Sequence, residues 1–151
     1  MRTKRFLPLI RALVACAQGF ERCSSSHLRE TGLTPAQFDI VATLGNTAGM
    51  TCKELGEKTL ITKGTMTGVL NRLEQKGLLT RMDSPSDGRS WITKLTPKGQ
   101  TLFERVFPAH LALLNPSFAG FSDGELDALR QQLDHLRLAF EVPHPGIEKG
   151  Q

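Results

Sequence analysis

Apolar residues recur at three- and four-residue steps from the start of the chain. Leu7, Ile10, Leu13, Val14, Ala17 and Phe20 form a stripe, with Arg11, Gln18 and Arg22 between them. This spacing predicts one long amphipathic helix over residues 7–29. Pro8 falls in its first turn, where a missing N–H is tolerated, and Gly32 ends it. Thr34-Pro35-Ala36-Gln37 supplies a Thr cap, a Pro at the first helical position and a Gln placed to reach back, so a second helix starts there. Phe38, Ile40, Val41 and Leu44 give that helix its core face. Gly45 to Gly49 reads as a loop, and Thr51-Cys52-Lys53-Glu54 is a capping box opening a short helix that ends near Thr59.

A fourth helix follows from Thr62 as cap to Gly77 as stop. Met66, Val69, Leu70 and Leu73 form its buried stripe; Lys63, Thr65, Thr67, Asn71 and Arg72 make a polar face without an acid. Residues 78–82 and 91–95 can pair as strands of a hairpin with the polar tip Asp83 to Ser90. Trp91 is expected to pack under this hairpin. Thr96-Pro97 opens a helix through Leu102, Phe103 and Val106, which Pro108 should kink or break. Residues 111–114 would extend it to Asn115-Pro116. Ser122-Asp123-Gly124-Glu125 is a third capping box, followed by Leu126, Leu129, Leu133, Leu136 and Phe140 as a heptad-like seam.

These elements predict a mainly α fold with a small two- or three-stranded β wing: a winged helix-turn-helix core with N- and C-terminal helices that pair between subunits. The expected segments are an N-terminal dimerisation helix (1–31), the winged domain (32–96), C-terminal dimerisation helices (97–142) and a flexible tail (143–151).

Charge sharpens the picture. The 151 residues carry a formal net charge of +4. Residues 51–95 hold eight Lys or Arg against five Asp or Glu, whereas residues from 96 onward hold five against seven. A basic middle suits a polyanionic partner. The basic, then apolar start resembles a signal peptide, but Arg11 and Gln18 interrupt it, and no stretch approaches the roughly 20 apolar residues of a membrane span. A cytoplasmic protein is expected, without a membrane partner.

Cys16, Cys23 and Cys52 are odd in number and lack CxxC spacing, so reduced thiols are expected rather than a disulfide framework or zinc finger. Cys16 and Cys23, about 10 Å apart along one helix, cannot bridge within it, although a bridge between subunits is open. Cys23 and His27, at i and i+4, have the spacing of two metal ligands, with Glu30 nearby and His110 on another helix. The plainer reading is an unligated surface His27, and neither metal nor cofactor is expected. His110 and His135 receive no role. No nucleophile, base and orienting group occur at interpretable spacing, and no glycine loop could cradle phosphate, so catalytic residues are not expected.

A short helix, a tight turn and a helix with a Lys/Thr/Asn/Arg face is the arrangement that places a recognition helix in the major groove of duplex DNA. Thr62, Lys63, Gly64, Thr65, Thr67, Asn71 and Arg72 are the candidate readers. Lys53, Arg81 and Lys94 are candidates for phosphate contacts, and Arg89 in the hairpin can enter the narrow minor groove.

The runs LTPAQFDIVATL and TCKELGEKTLITKGTMTGVLNRLEQKGLLTR, with Asp87-Gly88-Arg89 followed by Leu95-Thr96-Pro97-Lys98-Gly99, resemble the MarR family of bacterial regulators. The resemblance covers roughly residues 30–105. It implies a homodimer on a pseudo-palindromic operator, usually repressing until a ligand or oxidant loosens it, with an aromatic or anionic small molecule as effector. It gives the wing residues Ser84, Asp87, Gly88 and Arg89 a DNA-binding role, Asp87 positioning Arg89. Gly88 stands where many members have a second Arg. Cys23 lies where peroxide-sensing members keep a reactive Cys, although the tyrosines that hold such thiolates are absent from this chain. A redox-sensing regulator is therefore one alternative, and a protein-interaction module of the same fold is the other.

Overall fold

The computed structural model describes residues 4–84 and 90–143. Six helices and three strands follow in the order α1 (Leu7–Thr31), α2 (Pro35–Leu44), β1 (Met50–Thr51), α3 (Cys52–Lys58), α4 (Lys63–Gln75), β2 (Leu79–Asp83), β3 (Trp91–Leu95), α5 (Pro97–Phe118) and α6 (Asp123–Glu141). The expected class is borne out: a helical protein with a small antiparallel sheet. Two compact units can be distinguished, Met1–Leu114 and Asn115–Gln151. No described helix is long and apolar enough to cross a membrane.

Local chemistry sets the helix starts. Thr34, Thr51 and Ser122 each accept a hydrogen bond from the backbone N–H three residues on, while Gln37, Glu54 and Glu125 reach back to the capping residue's own N–H. Each box satisfies two donors that a helix start otherwise leaves open. Gly32 and Gly77, at φ 76° and 72°, take the left-handed conformation that closes α1 and α4.

Leu33, Ile40, Leu44, Leu55, Leu73 and Leu79 are among the side chains of one buried cluster to which α2, α3, α4, β2 and α5 all contribute. The sheet order is β1-β3-β2, with Met50 opposite Thr93 and Leu79 opposite Leu95. Thr93 on the central strand is fully buried. The third strand, β1, is only two residues long and exists through its pairing with β3.

Thr96 ties three elements together. Its N–H donates to the Leu78 carbonyl at 3.0 Å, its hydroxyl donates to the Gly77 carbonyl at 2.6 Å, and the same hydroxyl accepts from Gly99 N–H at 3.1 Å. The end of α4, the approach to β2 and the first turn of α5 are thereby held in one register.

Three expectations are corrected. Of the two outcomes expected at Pro108, a kink or a break, the break does not occur: α5 runs for 22 residues through both Pro108 and Pro116. Each proline leaves one carbonyl without its helical donor, that of Glu104 or Ala112. Both prolines and both of those residues are exposed, so water can serve the orphaned carbonyls. Trp91 does not pack under the wing; it is 56% exposed. His27 is half-buried rather than a bare surface residue, and His110, which had no role, is buried and bonded to it.

Candidate nucleic-acid interface

The helix-turn-helix is built on buried leucines. Leu55 is fully buried on α3, and Thr59 closes that helix by donating its hydroxyl to the Leu55 carbonyl at 2.7 Å. The chain then turns through Leu60 and Ile61 into α4. Met66, Val69, Leu70 and Leu73 bury one face of α4. This forces the intervening residues outward. Lys63, Gly64, Thr65, Thr67, Asn71 and Arg72 are all exposed, as the sequence pattern predicts.

Thr62 occupies the N-cap position with extended backbone angles, but its hydroxyl does not cap. It donates instead to the Thr65 hydroxyl at 3.0 Å. No acid sits in the first turn of α4. The start of α4 therefore combines uncapped amide donors with Lys63, a setting that favours a phosphate oxygen. A Cβ at Gly64 or Gly68 would meet open space, so at these two positions the helix presents bare backbone to whatever approaches.

The far end of α4 is organised by Arg81 on β2. Its Nε lies 3.0 Å from a Glu74 carboxylate oxygen, and its Nη2 donates to Asn71 Oδ1. This places a partly neutralised guanidinium beside Asn71 and orients the Asn71 amide, whose N–H donors remain to offer to a base acceptor. Asn71, Glu74, Gln75, Arg81 and the exposed Trp91 line a hollow of about 520 Å³. The sequence pattern did not single out Gly68 or Trp91 for this surface; an exposed aromatic cannot be told from a buried one by its type alone.

The remaining candidates are spread around this face. Lys53 is exposed on α3 and Lys94 half-buried on β3. Ser84 is buried at the base of the hairpin, where its N–H donates to the Ser90 carbonyl at 2.9 Å. Asp87, Gly88 and Arg89 lie outside the described residues. Cys23 is half-buried on α1, and Cys16 and Cys52 are exposed free thiols. Among the described residues no group of three or more His, Cys, Asp or Glu could hold a metal ion.

A second cleft, of about 590 Å³, lies between the end of α1, the end of α4 and the first half of α5. Leu33, Leu78 and Leu102 give it apolar walls, and Lys76, Lys98 and Arg105 surround them with positive charge. Lys76 Nζ donates to the Gly32 carbonyl at 2.9 Å and to Gln37 Oε1 at 3.0 Å, joining α4 to the α1–α2 connection.

An exposed helix face whose one acid, Glu74, is paired with Arg81, set on a buried leucine framework beside a three-stranded antiparallel sheet, defines a winged helix-turn-helix protein. The chain belongs to the MarR family of transcriptional regulators, whose profile matches residues 33–91. It is 29% identical over 142 residues to the HTH-type transcriptional regulator MhqR of Bacillus subtilis, covering 94% of this chain and 98% of that one. A probable transcriptional regulator from Pseudomonas aeruginosa is 30% identical with a TM-score of 0.66, over 82% of this chain and 94% of that one. A mutant MarR from E. coli complexed with operator DNA is 25% identical with a TM-score of 0.75, over 88% of this chain and 96% of that one.

Proposed function

We propose that the protein is a homodimeric repressor that reads a pseudo-palindromic operator with α4 and releases it when a small anionic aromatic effector binds. The observation that carries the DNA reading is the exposed face of α4, which holds Lys63, Thr65, Thr67, Asn71 and Arg72 with no acid among them. Two such helices in a dimer would enter successive major grooves about 34 Å apart. The likeness to a MarR bound to operator DNA supports the same reading. Lys53 and Lys94 would neutralise phosphates, and Ser84, Asp87, Gly88 and Arg89 would serve the wing. Arg81, already paired with Glu74, would act chiefly by orienting Asn71.

Selection of bound duplexes from a random pool tests this, with recovery of a two-fold symmetric motif as the expected outcome. On the recovered duplex, affinity should fall steeply with salt, log K changing by about 0.9 per phosphate neutralised for each unit of log salt. Lys63→Ala and Arg72→Ala should each make that slope shallower, by about 2 for a dimer that loses two contacts. Arg89→Ala should weaken binding with the fold intact. A flat salt response, or no motif, would remove DNA from the account.

The effector reading rests on the cationic, leucine-walled cleft between α1, α4 and α5, which suits a carboxylate attached to an aromatic ring. A ligand there would favour one spacing of the recognition helices over another. Benzoate-series carboxylates should weaken the protein–DNA complex in wild type and have a reduced effect on Arg105→Ala. Equal response of the two proteins would move the effector elsewhere.

A further inference from the structure

Two histidines 83 residues apart in the chain meet in the fold. His27, toward the end of α1, and His110, in the middle of α5, face each other with their Nδ1 atoms 3.0 Å apart. His110 is 4% exposed. Its Nε2 lies 3.2 Å from the hydroxyl of buried Ser24, also on α1, and its ring centroid lies 4.5 Å from that of Phe38 on α2. Both ring nitrogens of His110 are thus engaged, and three helices converge on one imidazole.

Counting protons fixes what this pair can tolerate. Two facing ring nitrogens can share only one proton, one ring donating and the other accepting. With both rings neutral there are two consistent arrangements. Either His110 donates to His27 and its Nε2 accepts from Ser24, or His27 donates to His110 and the His110 Nε2–H donates to the Ser24 hydroxyl. One added proton is accommodated on the more exposed His27, because the second arrangement then keeps every bond and gains a charge-assisted one. A second added proton puts N–H groups on both facing nitrogens and positive charge on two rings whose centroids are 5.2 Å apart. No choice of tautomer relieves that, so the contact must open.

Among the described residues no carboxylate is bonded to either ring. On α1, Cys23 stands one turn before His27 and the exposed Glu30 one turn after it, and Arg29 donates back to the Ser25 carbonyl. On α2, Asp39 follows Phe38 in the chain, but its carboxyl accepts from the Leu60 backbone N–H. On α5, Glu104 accepts from the Gln100 side chain. Burial first, and the charge of His27 second, hold His110 below the ordinary histidine value of 6.5. A histidine depressed in this way contributes stability that is present above its unfolded value and lost as pH falls through the lower folded one.

We propose that His27 and His110 form a proton-operated latch joining α1, α2 and α5, and that its opening in acid weakens DNA binding. The second half of this inference rests on the DNA-binding reading above. The route is short: α5, once unlatched from α1 and α2, is still tied through Thr96 to the end of α4.

Imidazole nitrogen NMR on the full-length protein reads the latch without DNA. The His110 ring should hold its neutral form below the ordinary histidine range, and its protonation should break the contact between the two Nδ1 atoms; a His110 ring that takes up its proton with that contact intact would overturn the latch. Anisotropy on the duplex recovered by selection reads the consequence. Wild-type affinity should fall about tenfold between roughly pH 7.5 and pH 5, while His110→Phe and His27→Gln each change by less than about twofold. The first variant keeps a ring against Phe38, and the second keeps a hydrogen-bonding group that cannot be charged, so failure of one to fold leaves the other. An equal acid loss in wild type and variants would overturn the link to DNA. If no duplex binds even at neutral pH, the DNA reading fails by itself, and the ring titration alone decides for or against the latch.

Discussion

Gly99→Ala should cost about 3 kcal/mol or more and lower the melting temperature by roughly 10 °C. A Cβ built at Gly99 falls 1.9 Å from the carbonyl oxygen of Leu78, well inside any permissible contact. That oxygen belongs to backbone and cannot swing aside, and it is already the acceptor for Thr96 N–H at 3.0 Å. Relief would require the first turn of α5 to back away from the end of α4, breaking the Thr96 bonds as well. The natural control is Gly56→Ala in the interior of α3, where an added Cβ meets nothing and the substitution should stabilise by up to about 1 kcal/mol. Thermal denaturation of the two variants beside wild type makes the comparison. A Gly99→Ala melting point within about 2 °C of wild type would contradict the close approach of α5 to Leu78.

Replacing Leu129 and Leu133 together with Glu should yield a folded monomer whose operator affinity is lower by about a hundredfold or more. α6 has no buried residue within the chain, and Leu129 and Leu133 are 48% and 52% exposed one turn apart. Phe6, Leu9, Ile10, Val14 and Phe20 leave α1 with a similar unpartnered stripe. Apolar side chains repeated at helical spacing on two helices are more than scattered surface residues, and a second copy of the chain is the occupant in the homodimer proposed above. Two carboxylates on each subunit would oppose burial of that stripe. Loss of the dimer would remove the gain from holding two half-sites at once, commonly a factor of 10² to 10⁴. Sedimentation and anisotropy on one sample would report both effects. A variant that stays dimeric with undiminished affinity would place the subunit contact elsewhere.

The parts of this structure governed by neighbours in the chain were readable from the residues. The boxes at Thr34, Thr51 and Ser122 need partners only three positions away, and the buried stripe of α4 needs only a period of 3.6 residues. The errors lie where distant groups or solvent decide. Pro108 reads as a kink or a break, yet an exposed proline whose orphaned carbonyl can reach water leaves α5 continuous. β1 is too short to carry a pattern of its own and is specified by its pairing with β3. Residue type placed Trp91 under the hairpin, whereas strand register leaves it exposed at the outer end of β3, opposite Asp83. The interface candidates on α4 were visible because its buried face determines its exposed one. The tie between Asn71 and Arg81 was not, since it depends on how β2 returns beside the helix. Nothing in either local sequence brings His27 to His110.

The knot at Thr96 also has a mechanical meaning. It grips α4 at its C-terminal end, while the residues that would meet bases and phosphates begin at Lys63, at the other end of a 13-residue helix about 20 Å long. The helix is therefore a lever with its fulcrum at Gly77 and Leu78 and its working tip at Lys63. A tilt of about 10° imposed at the fulcrum by α5 would carry the tip through roughly 3 Å, close to the spacing of successive base pairs. A displacement too small to disturb the packing at Thr96 is enough to put Lys63 and Thr65 out of step with a groove.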